Sequence, residues 1–170
     1  MSFDPSCTAS KDFDLFEKYT FVLGSFSMDY YLYDPIAHGA DPEQTYPLLT
    51  FFHDATSSLN SELCVNYCGG EYFASREYQL KCGGAYILIP MANEVRQENG
   101  ELSGDWHEDH YIYEVKGLID KIYAQNSQNI NKIIGLGDSS GSDFLSKLAH
   151  LYPTLLDELI PVGDDDLPTK

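Results

Sequence analysis

The residues best suited to chemistry form the run Gly137-Asp138-Ser139-Ser140-Gly141, which has the form G-x-S-x-G. When this form stands between a strand and a helix, the chain turns sharply at the serine and presents its hydroxyl as a nucleophile. Glycine on both sides leaves space that side chains would fill, and the amides and dipole of the following helix favour a negatively charged oxygen. An alternative interpretation is that Ser139 only caps a helix, because serine and glycine are common at helix starts.

Strand and helix patterns around this run supply the context that the motif needs. Residues 131–137 are typical of a short buried strand, and apolar residues then repeat at helical spacing up to Tyr152-Pro153. Further elements are also predicted: buried strands at 48–52 and 85–90, a fourth strand at 159–163, a helix at 109–124, a short helix within 67–78, and an antiparallel strand pair at 21–23 and 29–33.

This alternation predicts an α/β fold with a mainly parallel sheet, helices on both faces and an N-terminal antiparallel strand pair, in a single domain over 1–170. The polar stretch between Pro90 and Asp105 is predicted to be a loop. Ligands of such sheets bind beyond the carboxyl ends of the strands. The segments after Phe52, Pro90, Gly137 and Gly163 are therefore expected to converge on one crevice.

Net charge excludes some classes of partner. The chain has 27 acidic and 10 basic residues, a formal charge of -17, so it repels phosphate backbones and anionic lipid surfaces. We expect neither a nucleic-acid nor a membrane partner, and no apolar run approaches the roughly 20 residues that span a bilayer. The first residues lack the pattern of a signal peptide, and the acidic surface suits a secreted protein whose signal is absent from this chain.

Four cysteines form an even set that can make up to two disulfides, which also suits an exported protein. Zinc binding is the competing interpretation. It is disfavoured because Cys64 and Cys68 are separated by three residues and no second close pair of Cys or His follows. The pairing of Cys7 and Cys82 with these two stays open. We expect no metal and no cofactor.

A longer pattern surrounds the serine motif. Residues 31–35 are Tyr-Leu-Tyr-Asp-Pro, residues 46–53 are Tyr-Pro-Leu-Leu-Thr-Phe-Phe-His, and residues 85–90 are Ala-Tyr-Ile-Leu-Ile-Pro. Trp106 precedes the predicted helix at 109–124, and Tyr152-Pro153 ends the helix after Ser139. In this order the chain resembles the feruloyl-esterase and polyhydroxybutyrate-depolymerase-like branch of the α/β-hydrolases, from Tyr31 to Val162.

The resemblance implies a role for each residue of the site. Ser139 would be the nucleophile of a carboxylic ester hydrolase, and Ser140 would offer one backbone amide to the oxyanion. A second amide would come from the loop after His53, near Ala55, while His53 itself shapes that loop. The implied substrates are small-molecule or polysaccharide-linked esters, as for feruloyl or acetyl-xylan esterases, hydrolysed through an acyl-enzyme.

The chain departs from the family at several positions. Asp54 stands where glycine normally follows the histidine, Asp138 adds a carboxylate beside the serine, and Ser142 replaces a glycine. Carboxylates that point inward would oppose an oxyanion. These changes put the oxyanion-hole geometry in doubt.

The base and the acid of a triad are not identifiable. In this fold they follow the nucleophile in the order acid, then histidine, and here only His150 follows Ser139, inside a predicted helix. The tail at 164–166 offers three aspartates, which are better explained as a solvated acidic segment. Either His107 or His110 could instead approach the crevice as a base, or bind a metal with Asp109, but an HxxH pair without a third well-spaced ligand is weak evidence.

Three functional hypotheses stay open. The first is a serine esterase of which this chain is a part, apparently lacking the C-terminal portion. The second is a catalytically incomplete binding or structural module. The third is completion by a second chain, for which self-association through an uncovered sheet edge at Leu159 to Val162 would be the sign.

Overall fold

A six-stranded sheet with helices on both faces organises the chain. The computed structural model describes residues 14–53, 70–92, 95–96, 98–99, 102–103, 106 and 108–162. The strands are β1 (Glu17–Leu23), β2 (Phe26–Tyr33), β3 (Tyr46–Phe52), β4 (Tyr86–Pro90), β5 (Val95–Arg96), β6 (Leu102–Ser103), β7 (Ile130–Asp138) and β8 (Glu158–Val162). The helices are α1 (Gly70–Ala74), α2 (Arg76–Cys82), α3 (His110–Gln125) and α4 (Ser140–Leu151).

The order of strands across the sheet is β1-β2-β4-β3-β7-β8, and β5 and β6 form a separate two-stranded ladder. Strands β3, β4, β7 and β8 are parallel to one another. Strands β1 and β2 are antiparallel to each other, and β2 is antiparallel to β4. This arrangement confirms the predicted α/β sheet with an N-terminal antiparallel pair. The carboxyl ends of four parallel strands therefore share one edge, where the functional site is expected.

Two apolar layers cover the two faces of the sheet. Strand β4 is buried at every residue, and β3 at all but Pro47, as expected for strands covered on both sides. Helices α3 and α4 pack on one face through side chains such as Leu118 and Leu148, both fully buried. On the other face, Ala74 of α1 joins the cluster that contains Phe51 and Ile87. The sheet is thus rigidly held at the strands that precede the site.

The N-terminal strand pair is a hairpin at one edge of the sheet. Its turn contains Gly24, whose φ of 62° favours glycine. Strand β1 is mostly exposed, and Phe21 packs over Gly117 of α3, 3.1 Å from where a β-carbon would stand. The hairpin therefore packs against helix α3 rather than against a second sheet.

Two segments differ from the sequence-based expectations. The single short helix predicted within 67–78 is instead the pair α1 and α2, because the hydroxyl of Ser75 accepts a hydrogen bond from the amide of Tyr78 at 3.1 Å and starts a new helix. Gly83, with φ 80°, ends α2. The predicted loop before Asp105 contains the ladder of β5 and β6, whose two-residue strands are too short to give an alternating pattern.

Two further sequence expectations meet the structure only in part. Cys82 is an exposed free thiol, whereas Cys7, Cys64 and Cys68 lie outside the described residues. None of the helices in the described part of the chain has the length and apolar character that crossing a membrane requires.

Candidate active site

The turn between β7 and α4 has an unusual backbone at Ser139. Its φ is 53° and its ψ is -114°, and among the described residues it is the only residue other than glycine with a positive φ. Such a conformation costs of order 1–3 kcal/mol and persists only where the surroundings impose it. The Ser139 side chain is exposed and forms no capping hydrogen bond with α4. Ser139 is therefore not an ordinary helix cap, and its hydroxyl projects from the carboxyl end of the sheet.

The two glycines of the motif are required by close backbone contacts. A β-carbon on Gly137 would lie 2.5 Å from the carbonyl oxygen of Gly141, across the turn. A β-carbon on Gly141 would lie 2.6 Å from the carbonyl oxygen of His53 and would overlap that of Phe52. The turn is consequently packed against the end of β3, and no side chain fits at either position.

Helix α4 begins directly after Ser139. The carbonyl of Ser139 accepts hydrogen bonds from the amides of Ser142 and Asp143, at 2.9 Å and 3.3 Å. The first amides of an α-helix have no partner within the helix, and the dipole adds partial positive charge there. The amide of Ser140 is one of these first amides of α4. Ala55, the second predicted donor, and Asp54 lie outside the described residues.

His53 is fully buried at the end of β3 and connects three segments. Its Nε2 accepts a hydrogen bond from the amide of Ala92 at 3.0 Å, so this nitrogen carries no proton. Its carbonyl oxygen accepts a hydrogen bond from the indole Nε1 of Trp106, also at 3.0 Å. His53 thus ties the end of β3 to Ala92 and Trp106, and with its Nε2 bound to a backbone amide it is not poised to take a proton from Ser139.

Trp106 fills the space between β3 and α4. It is 4% exposed and stacks on Phe144 of α4 with ring centroids 4.7 Å apart. Its edge contacts Phe52 and Tyr111, at centroid distances of 5.6 Å and 5.4 Å. Trp106 is thereby fixed to the end of β3 and to α4.

The histidine proposed as a base or metal ligand, His110, is engaged elsewhere. Its ring stacks on Phe26 at 4.4 Å, and its Nδ1 lies 3.3 Å from Oε2 of Glu114 in α3. Asp109 forms an ion pair with Lys147 of α4, with 2.6 Å between Oδ1 and Nζ. In the described ranges, no three side chains of His, Cys, Asp or Glu cluster as a metal site would require. His107 lies outside those ranges.

Glu114 is a buried carboxyl group between α3 and the β1–β2 hairpin. It is 1% exposed, and neither of its oxygens has a hydrogen-bond partner among the described residues. Burial raises the pKa of Glu114, and the neighbouring His110 opposes that shift. A perturbed carboxyl in this place belongs to the packing of the hairpin and not to the serine turn.

The remaining acidic and basic candidates are distributed as follows. Asp138 is the last residue of β7 and is half-buried, with its backbone paired to Val162 of β8. His150 is exposed near the end of α4, and His38 stacks on Tyr33 at the opposite edge of the sheet. The three aspartates at 164–166 lie outside the described residues. No described histidine therefore lies in a hydrogen bond to Ser139.

A cavity of about 640 Å³ lies away from this site, at the amino ends of β3 and β4. Its walls include Tyr33, Tyr46, Arg76 and Leu80. Because catalytic groups of open α/β sheets gather at the carboxyl ends of the strands, the turn at Ser139 identifies the functional edge better than the size of this cavity does.

Comparison with known proteins shows which solved structures share this fold. No protein-family model and no curated protein matches the chain. Solved structures match well: a thermostable esterase (TM-score 0.67, 22% identity, 88% of this chain and 41% of that one) and an arylesterase (0.58, 17%, 91% and 47%). A third is brefeldin A esterase, a bacterial homologue of human hormone-sensitive lipase (0.55, 10%, 96% and 43%).

These similarities define the fold as that of the α/β-hydrolases, in agreement with the resemblance noted in the sequence. The chain spans less than half the length of each of these three esterases. At these identities the likeness establishes the fold alone.

Sequence reasoning missed one contact that shapes the site. The sequence identifies Trp106 only as a landmark of the resemblance, whereas its hydrogen bond to the carbonyl of His53 joins residues 53 positions apart. A lone tryptophan just before an amphipathic helix is a signal of an anchoring role, but it does not identify the acceptor.

Proposed function

We propose that this protein is a serine hydrolase of carboxylic esters and that Ser139 is its nucleophile. The observation that carries the proposal is the positive φ of Ser139 on a turn whose two glycines are sterically required. Strain of this kind is retained where it presents a side chain for use. The esterases that share the fold support the same reaction class.

The reaction would proceed through an acyl-enzyme. The Oγ of Ser139 attacks the ester carbonyl carbon, its proton passes to a base, and the carbonyl electrons move to oxygen to give a tetrahedral oxyanion. Collapse of that intermediate releases the alcohol, which takes up a proton, and leaves the acyl group on Ser139. Water then attacks the acyl carbon, releases the carboxylic acid and restores the serine.

Backbone donors would stabilise the oxyanion. The amide of Ser140 is placed at the start of α4, beside the serine. The second donor would come from near Ala55, because the end of β3 at Phe52 and His53 lies against Gly141. Donors of this type contribute roughly 10²–10³ in rate each.

The base and the acid are proposed to come from outside the described residues. Among the described histidines, His53 binds a backbone amide through Nε2 and His110 pairs with Glu114. Strand β8 lies at the sheet edge with Leu159 and Ile160 each at least 40% exposed, which favours a further chain segment or a partner along it. Such a segment would bring the missing groups to the carboxyl edge.

The finer proposal is that the substrates are feruloyl or acetyl esters linked to polysaccharide. It rests on the sequence resemblance from Tyr31 to Val162. Hydrolysis of methyl ferulate and acetylated xylan, compared with p-nitrophenyl acetate, tests it. Preference for the simple acetate with no release from xylan would refute this specificity and leave the esterase proposal standing.

Covalent labelling by a fluorophosphonate probe, read by intact mass and peptide mapping, tests the nucleophile. We expect one adduct on Ser139, none in Ser139→Ala, and an undiminished adduct in Ser142→Ala, a matched serine substitution in the same turn. If the folded protein takes no label, the proposal is wrong and the catalytically incomplete module is the better description.

Dilution distinguishes the sources of the base. If a second copy completes the site, the specific labelling rate will fall as the protein is diluted below its dissociation constant. A rate that stays constant while the protein is monomeric would place the base within one chain.

A further inference from the structure

Trp106 shapes the candidate site without touching the reacting serine. Its indole has a single hydrogen-bond donor, Nε1–H, and that donor is bound to the carbonyl oxygen of His53. The same carbonyl oxygen is one of the two that lie under Gly141, on the first turn of the nucleophile helix. The indole thus fixes an atom on which the serine turn rests.

The ring of Trp106 is itself tightly packed, and so is His53, whose carbonyl oxygen it binds. It is wedged between Phe52, the last residue of β3, and Phe144 of α4, and its own exposure is 4%. His53 is also held from a third direction, by the amide of Ala92 after β4. His53 is therefore the meeting point of these contacts, because its imidazole binds Ala92 and its carbonyl oxygen binds Trp106 and lies against Gly141 of α4.

We infer that Trp106 is the positioning residue of the Ser140 amide, the proposed oxyanion donor on α4. Gly141, the next residue, rests on the carbonyl oxygens of Phe52 and His53. The position of the Ser140 amide therefore depends on how the end of β3 is fixed, and Trp106 fixes it through the carbonyl of His53. A displacement of about 1 Å in such a constellation costs of order 10²-fold in rate.

This inference rests on the proposed function, because it concerns stabilisation of charge on a group bound to Ser139. An oxyanion exists only in the transition state and the tetrahedral intermediate. Loss of the positioning contact should therefore lower the rate constant of the chemical step and leave substrate or probe affinity nearly unchanged.

The sharpest variant replaces Trp106 with 3-benzothienylalanine, which keeps the shape of the indole and has sulfur in place of N–H. Trp106→Phe is a second variant that keeps an aromatic ring. Leu118→Ala, a truncation of a fully buried residue two turns along α3, is the control for loss of core stability. All three are compared with the unaltered chain in the fluorophosphonate assay, with saturation kinetics separating affinity from the labelling rate constant.

We expect the isostere to lower the labelling rate constant at Ser139 at least tenfold, with affinity for the probe changed less than twofold. Leu118→Ala should lower thermal stability without a comparable loss of rate. If the isostere labels Ser139 as fast as the unaltered protein does, the inference is wrong. It is also wrong if the isostere and Leu118→Ala lose the same labelling rate at equal stability, because Trp106 is then only a core residue.

A second readout keeps the inference testable if the proposed function fails. The amide of Ala92 donates to His53, so its hydrogen exchange, measured by NMR, reports whether His53 stays in place. If the unaltered protein takes no label, the proposed function fails, yet the isostere should still speed exchange at Ala92 at least tenfold relative to amides of β4. Unchanged exchange at Ala92 would overturn the positioning role.

Discussion

Two regions of the molecule, the serine turn and the β1–β2 hairpin beside α3, differ in how their buried polar groups are accommodated. At the serine turn, backbone atoms approach so closely that only glycine fits at Gly137 and Gly141, and the carbonyl and imidazole of His53 are both hydrogen-bonded. At the β1–β2 hairpin, the same helix buries Glu114 with no hydrogen bond to either oxygen. The serine turn thus combines a strained backbone with hydrogen bonds at both polar groups of His53, although the buried Oγ of Ser140 has no partner among the described residues. At the hairpin, burial of the Glu114 carboxyl beside His110 costs stability.

The largest effect should follow a substitution that prevents the close approach. In Gly141→Ala the new β-carbon would overlap the carbonyl of Phe52, so the end of β3 and the start of α4 must separate. We expect a loss of about 3 kcal/mol in the free energy of unfolding, together with loss of probe labelling. Denaturant unfolding of purified variants measures the first effect.

Gly117→Ala is the matched control, because its β-carbon would meet only the flexible end of the Phe21 ring, at 3.1 Å, within a helix. Its change should be much smaller and either sign is compatible with the packing. Equal losses in the two variants would remove the steric argument for the serine turn.

A smaller effect should appear when the strain at Ser139 is relieved. Because the φ of Ser139 is 53°, Ser139→Gly should be about 1 kcal/mol more stable than Ser139→Ala, which keeps the strained backbone. Both variants should lose labelling, so the comparison separates stability from function. Thermal unfolding of the two variants side by side is the measurement, and equal midpoints would show that the turn is not strained.

The smallest effect concerns Glu114, beside the β1–β2 hairpin, and depends on pH. Burial raises the pKa of Glu114 in the folded state above its unfolded value, so its contribution is favourable at low pH and is lost as the pH rises through the folded pKa. Glu114→Gln does not titrate. Its stability relative to the unaltered protein should therefore increase between pH 4 and pH 8.

Urea unfolding across that pH range provides the test. Glu108→Gln, at an exposed position just before α3, is the control and should show no such trend. A stability difference for Glu114→Gln that is independent of pH would mean that this carboxyl has the same affinity for protons in the folded and unfolded chains.

Much of the fold follows from local patterns in the sequence. The buried strands at 48–52 and 85–90 and the helix at 109–124 are each visible as an apolar run or a helical stripe, because each pattern reflects the burial of that segment alone. The serine motif is likewise local, and its position between strand and helix gives the sharp turn its meaning. The structure agrees with these expectations to within a few residues.

What the sequence did not predict depends on contacts between distant segments. The hydrogen bond from Trp106 to His53 and the burial of Glu114 under the hairpin both require the sheet to be assembled first. The break between α1 and α2 near residue 75 depends on the capping hydroxyl of Ser75. The pattern of this short stretch is compatible with one helix or with two. The roles of Ser140 and Ala55 in an oxyanion site stay predictions.

Trp106 is also the single tryptophan of the chain, which gives the molecule an intrinsic optical reporter. Its emission spectrum senses the corner between β3 and α4 when the excitation is selective for tryptophan over the 13 tyrosines of the chain. A fluorescence-detected unfolding curve will therefore follow the opening of this corner, while circular dichroism follows the helices as a whole. Any gap between the two midpoints would measure how independently the carboxyl edge of the sheet loosens from the rest of the molecule.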